Sequence, residues 1–155
     1  MPDFLNTLDR PALDARGITG WGFGYEDQVR FSELDALAHV NNVAYLTWFE
    51  VIRVRYVQSL GLTSYTPADP HLVVRAQTAD YLAPMFADER YVVVCRTSLL
   101  KASSLVMDYA VHTDTGVSAT GSAVVVSIEQ DGSGRRAHYK EAVARIIALD
   151  APNQA

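Results

Sequence analysis

Between Asp35 and Arg53 the chain carries a dense set of groups that could do chemistry: Asp35, His39, Asn41, Asn42, Tyr45, Glu50 and Arg53. Asp35 and His39 lie in a short polar stretch, and Asn41 and Asn42 stand just before a long apolar run. An Asn in that place is a good helix N-cap, because its side-chain oxygen satisfies an amide that the helix leaves unpaired. A carboxylate is therefore expected close to a helix N-terminus, where free N–H groups and the helix dipole favour developing negative charge. A base or nucleophile beside oxyanion donors is what acyl transfer requires. Read alone, the residues also allow quieter roles. Asp35 suits an Asx-turn, His39 suits a bond to the loop backbone, and the two Asn side chains suit caps. Tyr45, Trp48 and Phe49 at helical spacing suit a core.

The elements that must position these groups follow from periodicity. From about Asn42 to Leu60, apolar side chains fall on nearly every face of a 3.6-residue helix, which predicts a helix buried all round, with Gly61 as its stop. Glu50, Arg53 and Arg55 interrupt the run and argue against a membrane span, and Glu50 and Arg53 are spaced to pair with each other. A strand is expected over Glu26 to Ser32, where Val29 and Phe31 alternate with polar residues. Four more are expected over Leu72 to Leu82, Arg90 to Leu100, Ser104 to His112 and Val117 to Glu129, the last two as a hairpin turned at Thr113 to Gly116. Residues 1–20 read as an extension in which Asp9 caps a short helix entered through Pro11 and stopped at Gly17. A single domain over 21–150 ends in a short helix from Tyr139 to Leu149, with 151–155 as a tail. The G-x-G of Trp21 to Tyr25 lacks the strand and helix that a dinucleotide site needs. One apolar helix among five strands gives an α+β chain with the helix wrapped by an antiparallel sheet.

Size and charge narrow the classes further. A chain of 155 residues can bury a core of its own, and a net charge of −5 argues against nonspecific nucleic-acid binding. Cys95, the lone cysteine, sits in an apolar run and is expected as a buried thiol. The N-terminus carries Asp3, Asp9 and Asp14 and no continuous apolar core, so no secretory signal and no membrane are expected, and the cytoplasm is the expected place. No ligand cluster suggests a metal, and no Gly-x-Ser-x-Gly elbow suggests a serine hydrolase.

The order Asp35, His39-Val40-Asn41-Asn42, Tyr45, Glu50, Arg53, followed by His71-Leu-Val-Val-Arg-Ala-Gln-Thr-Ala-Asp-Tyr81-Leu-Ala-Pro84, resembles the 4-hydroxybenzoyl-CoA thioesterase-like branch of the hotdog-fold superfamily. Glu33 stands where many relatives carry a second Asp, and Ala38 replaces the usual Gly before His39. The resemblance implies a hotdog fold, a five-stranded antiparallel sheet around a long central helix, and a homodimer or dimer of dimers. It implies hydrolysis of an acyl-CoA thioester, with Asp35 as general base or nucleophile, His39 and Asn42 beside it, and helix-start amides as oxyanion donors. Asn41, Tyr45, Phe49, Val74 and Arg75 are the implied substrate contacts, with Val73 to Arg75 closing the site from the partner subunit. Arg75, Lys101, Arg135 and Arg136 are candidates for the coenzyme phosphates. Coenzyme A is part of the substrate, and no separate cofactor is implied. A helix carboxylate, here Glu50, does the chemistry in some other hotdog enzymes. An acyl carrier protein thioesterase and a non-catalytic acyl-CoA-binding protein are the other readings.

Overall fold

The computed structural model describes residues 6–155; the first five residues of the expected extension lie outside them. Strands β1 (Thr7–Asp9), β2 (Phe23–Gln28), β3 (His71–Tyr81), β4 (Arg90–Leu100), β5 (Ser104–Thr113), β6 (Gly116–Ile128) and β7 (Asn153–Gln154) form one sheet. Its order is β1-β2-β4-β5-β6-β3, all antiparallel, and β7 adds in parallel to Leu99 and Leu100 of β4. Helix α1 (Arg10–Asp14) packs on the outer face of the sheet, α2 (Asn42–Ser59) is held against the inner face, and α3 (Lys140–Asp150) closes the chain. This is the hotdog arrangement, with seven strands in place of the expected five. The two additions are short edge pairings outside the apolar runs, from the extension and from the tail.

Alternation along each strand sets the layers. Leu105, Met107, Tyr109 and Val111 of β5 point inward with Val93 and Cys95 of β4 and Ala119, Ala123 and Val125 of β6. Against them α2 lays Ala44, Tyr45, Trp48, Phe49, Ile52, Tyr56 and Val57, all buried. Cys95 is fully buried among them, and burial pushes its thiol well above the ordinary range. A separate outer cluster of Leu13, Ile18, Val92, Val94 and Ala110 is covered by the extension. Asp9 caps α1 as expected, accepting from the Ala12 amide.

Three expectations need correction. The first long strand begins at Phe23 and ends at Gln28, and Phe31 to Glu33 form a 3-10 turn. Glycines disguised its start. A Cβ on Gly24 would lie 2.9 Å from the Val93 carbonyl oxygen and 3.1 Å from Leu13, so this Gly lets α1 sit close to the sheet. Nor is α2 buried all round: Val43 is 61% exposed, and Leu46, Thr47, Glu50 and Val54 lie on the same open side. One sheet covers one side of a helix, and the other side of this one has no cover among the described residues. Finally, Arg53 does not pair with Glu50; its guanidinium donates to the Tyr109 hydroxyl at 3.1 Å.

Two measurements check this packing. Phe49 stacks on Tyr109 at 4.7 Å and lies over Gly121, where an added Cβ would come within 2.6 Å of the Phe49 ring and 2.9 Å of the Thr78 carbonyl oxygen. Gly121→Ala is expected to lower stability by about 1–3 kcal/mol in denaturant unfolding. His138 is 7% exposed, and burial holds its pKa below the usual 6.5 against a smaller opposing effect of the Ser104 backbone. The unfolded chain takes up that proton more readily, so the contribution of neutral His138 is intact above pH 6.5 and is lost as the pH falls below it. Between about pH 7 and pH 5, His138→Leu should show a smaller fall in melting temperature than the wild type.

Candidate active site

A tight network carries the chain from β2 to the start of α2. Asp27, 3% exposed, takes two bonds from the Arg30 guanidinium at 2.9 and 3.1 Å and a third from the Gln28 amide. In the turn that follows, Glu33 is used three ways. One carboxylate oxygen accepts from the Arg30 amide at 2.8 Å, and the other accepts from the Trp48 indole N–H at 3.0 Å. Its carbonyl accepts from both the backbone and the side-chain amide of Asn41, at 2.8 and 2.9 Å. Asn41 then caps α2, its Oδ1 accepting from the Ala44 amide at 2.8 Å. The departure at Glu33 is thus a structural anchor whose longer side chain spans from the turn to the second turn of α2.

Between these anchors Asp35 to His39 form a small closed loop. Leu34 and Val40 bridge antiparallel, the Asp35 amide donates to the His39 carbonyl at 2.7 Å, and the Ala38 amide donates to the Asp35 carbonyl. Asp35 Oδ1 accepts from the Leu37 amide at 2.8 Å and, at 3.4 Å, from that of His39. Asp35 does form an Asx-turn, and that turn aims it: the bonds fall on one oxygen of an exposed carboxylate. Ala38 holds φ at +59°, the left-handed conformation that Gly would adopt freely, so the loop path survives the departure from Gly at a cost of about 1 kcal/mol.

Asp35, His39, Val40, Asn42 and Tyr45 line one cleft of about 320 Å³, together with Tyr81 and Leu82-Ala83-Pro84 beyond β3. Tyr45 forms its floor, 3% exposed and packed on Trp48 and Tyr81 at 5.0 and 5.2 Å; burial, helped by Glu89, pushes its hydroxyl up to about 12. The His39 ring meets Phe86 edge-on at 5.2 Å. The first two helix amides, of Asn42 and Val43, have no partner within α2. The Asn41 amide is spent on Glu33, so Asn41 serves as cap and anchor and not as a cleft residue. Phe49 is fully buried against Tyr109 and lines no part of the cleft. Val74 and Arg75 sit toward the other end of β3, six residues or about 20 Å of strand from Tyr81 for Arg75. Glu50 also lies outside the cleft, on the open side of α2. Tyr81 and its neighbours to Pro84, part of the resemblance but given no site role by it, are also cleft residues. The signal was a strand exit ending in an aromatic residue.

The Asp35 loop, the start of α2 and the strands behind them fall within residues 29–147, which match the model of the thioesterase-like superfamily. An uncharacterised Bacillus subtilis protein, YsmA, is 31% identical over 124 residues, covering 79% of this chain and 83% of its own. A thioesterase-superfamily structure from Jannaschia sp. is 36% identical with a TM-score of 0.94 and full coverage of both chains. A Thermus thermophilus thioesterase, solved with coenzyme A and zinc, is 34% identical with a TM-score of 0.73, over 86% of this chain and 97% of that one. The chain belongs to the thioesterase-like superfamily.

The anchoring role of Glu33 is directly measurable. Glu33→Ala leaves the Trp48 indole N–H and the Arg30 amide without their acceptor, and should lower stability by about 1–3 kcal/mol in chemical denaturation. Glu33→Gln, which retains an acceptor for the indole, should lose less.

Proposed function

We propose that this protein hydrolyses acyl-CoA thioesters, with Asp35 as the group that attacks or activates water. The observation that carries the reading is the shared cleft, in which Asp35, His39 and the start of α2 come together above Tyr45. The Thermus relative bound to coenzyme A supports the substrate class. A thioester carbonyl seated there presents its carbon to Asp35 or to a water that Asp35 deprotonates. As the new C–O bond forms, the carbonyl π pair moves to oxygen, which the Asn42 and Val43 amides and the helix dipole stabilise. Collapse breaks the C–S bond and expels coenzyme A as its thiolate, a good leaving group that needs little proton transfer. If Asp35 attacks directly, water then opens the mixed anhydride; both routes start from the ionised carboxylate. His39 borders the reacting centre, and Tyr45 and Tyr81 bound the acyl group.

A homodimer completes this reading. Strand β3 is an eleven-residue sheet edge, Val73 and Val74 on it are 39% and 41% exposed, and the open side of α2 carries Val43, Leu46 and Val54. Pairing of β3 with its copy across a two-fold axis covers both. It also brings Val74 and Arg75 of one protomer toward the cleft of the other. Arg75, Lys101 and Arg135 line one pocket floored by Leu105, Val106, Val124 and Val126, which suits the coenzyme phosphates. Arg136 turns away to Tyr139 and Glu129 and is left out of this role. No helix among the described residues is long and apolar enough to cross a membrane, and a cytoplasmic setting fits a coenzyme A ester as substrate.

Thiol release measured over short, medium, long and aromatic acyl-CoAs tests the reading. Asp35→Asn should cut kcat by about 10²- to 10⁴-fold on the preferred ester with folding unchanged. Undiminished turnover by Asp35→Ala would sink the mechanism, and faster release from acyl carrier protein would redirect the substrate class.

A further inference from the structure

The hydroxyl of Tyr81, the last residue of β3, donates at 3.1 Å to the carbonyl oxygen of Asn42. That oxygen and the Val43 N–H are the two ends of one peptide unit, and the Val43 amide is among the two that the helix leaves unpaired. A peptide unit is planar, so a bond that holds its oxygen also fixes where its N–H points. Hydrogen bonds at the two ends of an amide polarise one another, so a donor on the oxygen makes the N–H a stronger donor. The helical pattern gives the same oxygen the Leu46 amide as well, and its two lone pairs accommodate both.

Tyr81 is 47% exposed, so core packing alone does not account for a phenol reaching to the helix start. Its reach is well determined. The Leu82 and Ala83 amides both donate to the Ser118 carbonyl, fixing the strand exit, and the Tyr81 ring rests on Tyr45 at 5.2 Å and 64°.

We propose that Tyr81 is a positioning residue for thioester hydrolysis, its phenol orienting and polarising the Asn42–Val43 peptide so that the Val43 N–H meets the oxyanion of the tetrahedral intermediate. This rests on the hydrolase reading above. The interaction strengthens as charge develops on the thioester oxygen, so its removal acts on kcat more than on KM. Tyr81→Phe keeps the ring on Tyr45 and deletes only the hydroxyl. It should lower kcat about tenfold on the preferred acyl-CoA and leave KM within about twofold.

Ring-fluorinated tyrosines at position 81 separate this role from a merely structural one. More acidic phenols are stronger donors while protonated, so kcat should climb along the series at a pH below the ionisation of each. Wild-type kcat in Tyr81→Phe, a loss confined to KM, or a kcat that does not respond along the fluorotyrosine series would each overturn the role. A wild type that releases no thiol from any acyl-CoA would overturn the hydrolase reading and this role together. An active wild type with an indifferent Tyr81→Phe would overturn the role alone.

Discussion

The arrangement at the start of α2 depends on one residue that does not enter the cleft. Glu33 receives the Trp48 indole and the Arg30 amide on its carboxylate and both Asn41 amides on its carbonyl. It therefore joins the exit of β2, the cap of α2 and the second turn of that helix at one point. The Asp35 loop is suspended between this anchor and Val40, whose amide donates to Met85. With its ends held in this way, a five-residue loop has few conformations, and the carboxylate keeps its place without being buried.

The central helix shows what a single chain leaves unfinished. Its inner side is locked by large side chains, including Phe49 stacked on Tyr109 and Tyr56 at the hydroxyl of Thr97. Its other side presents Val43, Leu46 and Val54 to solvent, and Val73 and Val74 stand half-exposed on β3. Exposed apolar side chains on a helix and on a sheet edge are a common mark of an association site. Tyr81, at the end of the same strand, lines the cleft.

Most of the framework was readable from the sequence. The four long strands after α2 start and end within a residue or so of where alternation placed them, because rows such as Leu105, Met107, Tyr109 and Val111 have one buried side. The helix limits were equally clear, since Asn41 and Gly61 are strong end signals. Less readable was what depends on partners distant in sequence. Gly22 and Gly24 masked the start of β2, for the reason they are needed: α1 and the Leu149 side chain approach too closely for a Cβ. Asp35, His39 and Asn42 stand close together in sequence, while Tyr81 to Pro84, read there as a strand and its exit with no site role, reach the same cleft only because β3 returns beside the start of α2. Phe49 looked the same as Tyr45 in the helical pattern because residues four apart share a face, and about one turn along the axis separates the cleft from the core.

The sheet's edges differ greatly in length. β1 is three residues long and β7 only two, whereas β3 runs for eleven. Two copies joined along β3 would each use up their long border, and what stays outward would be too short to template another strand. Addition would stop at a closed pair, and fibrillar growth through these sheets would have no starting point.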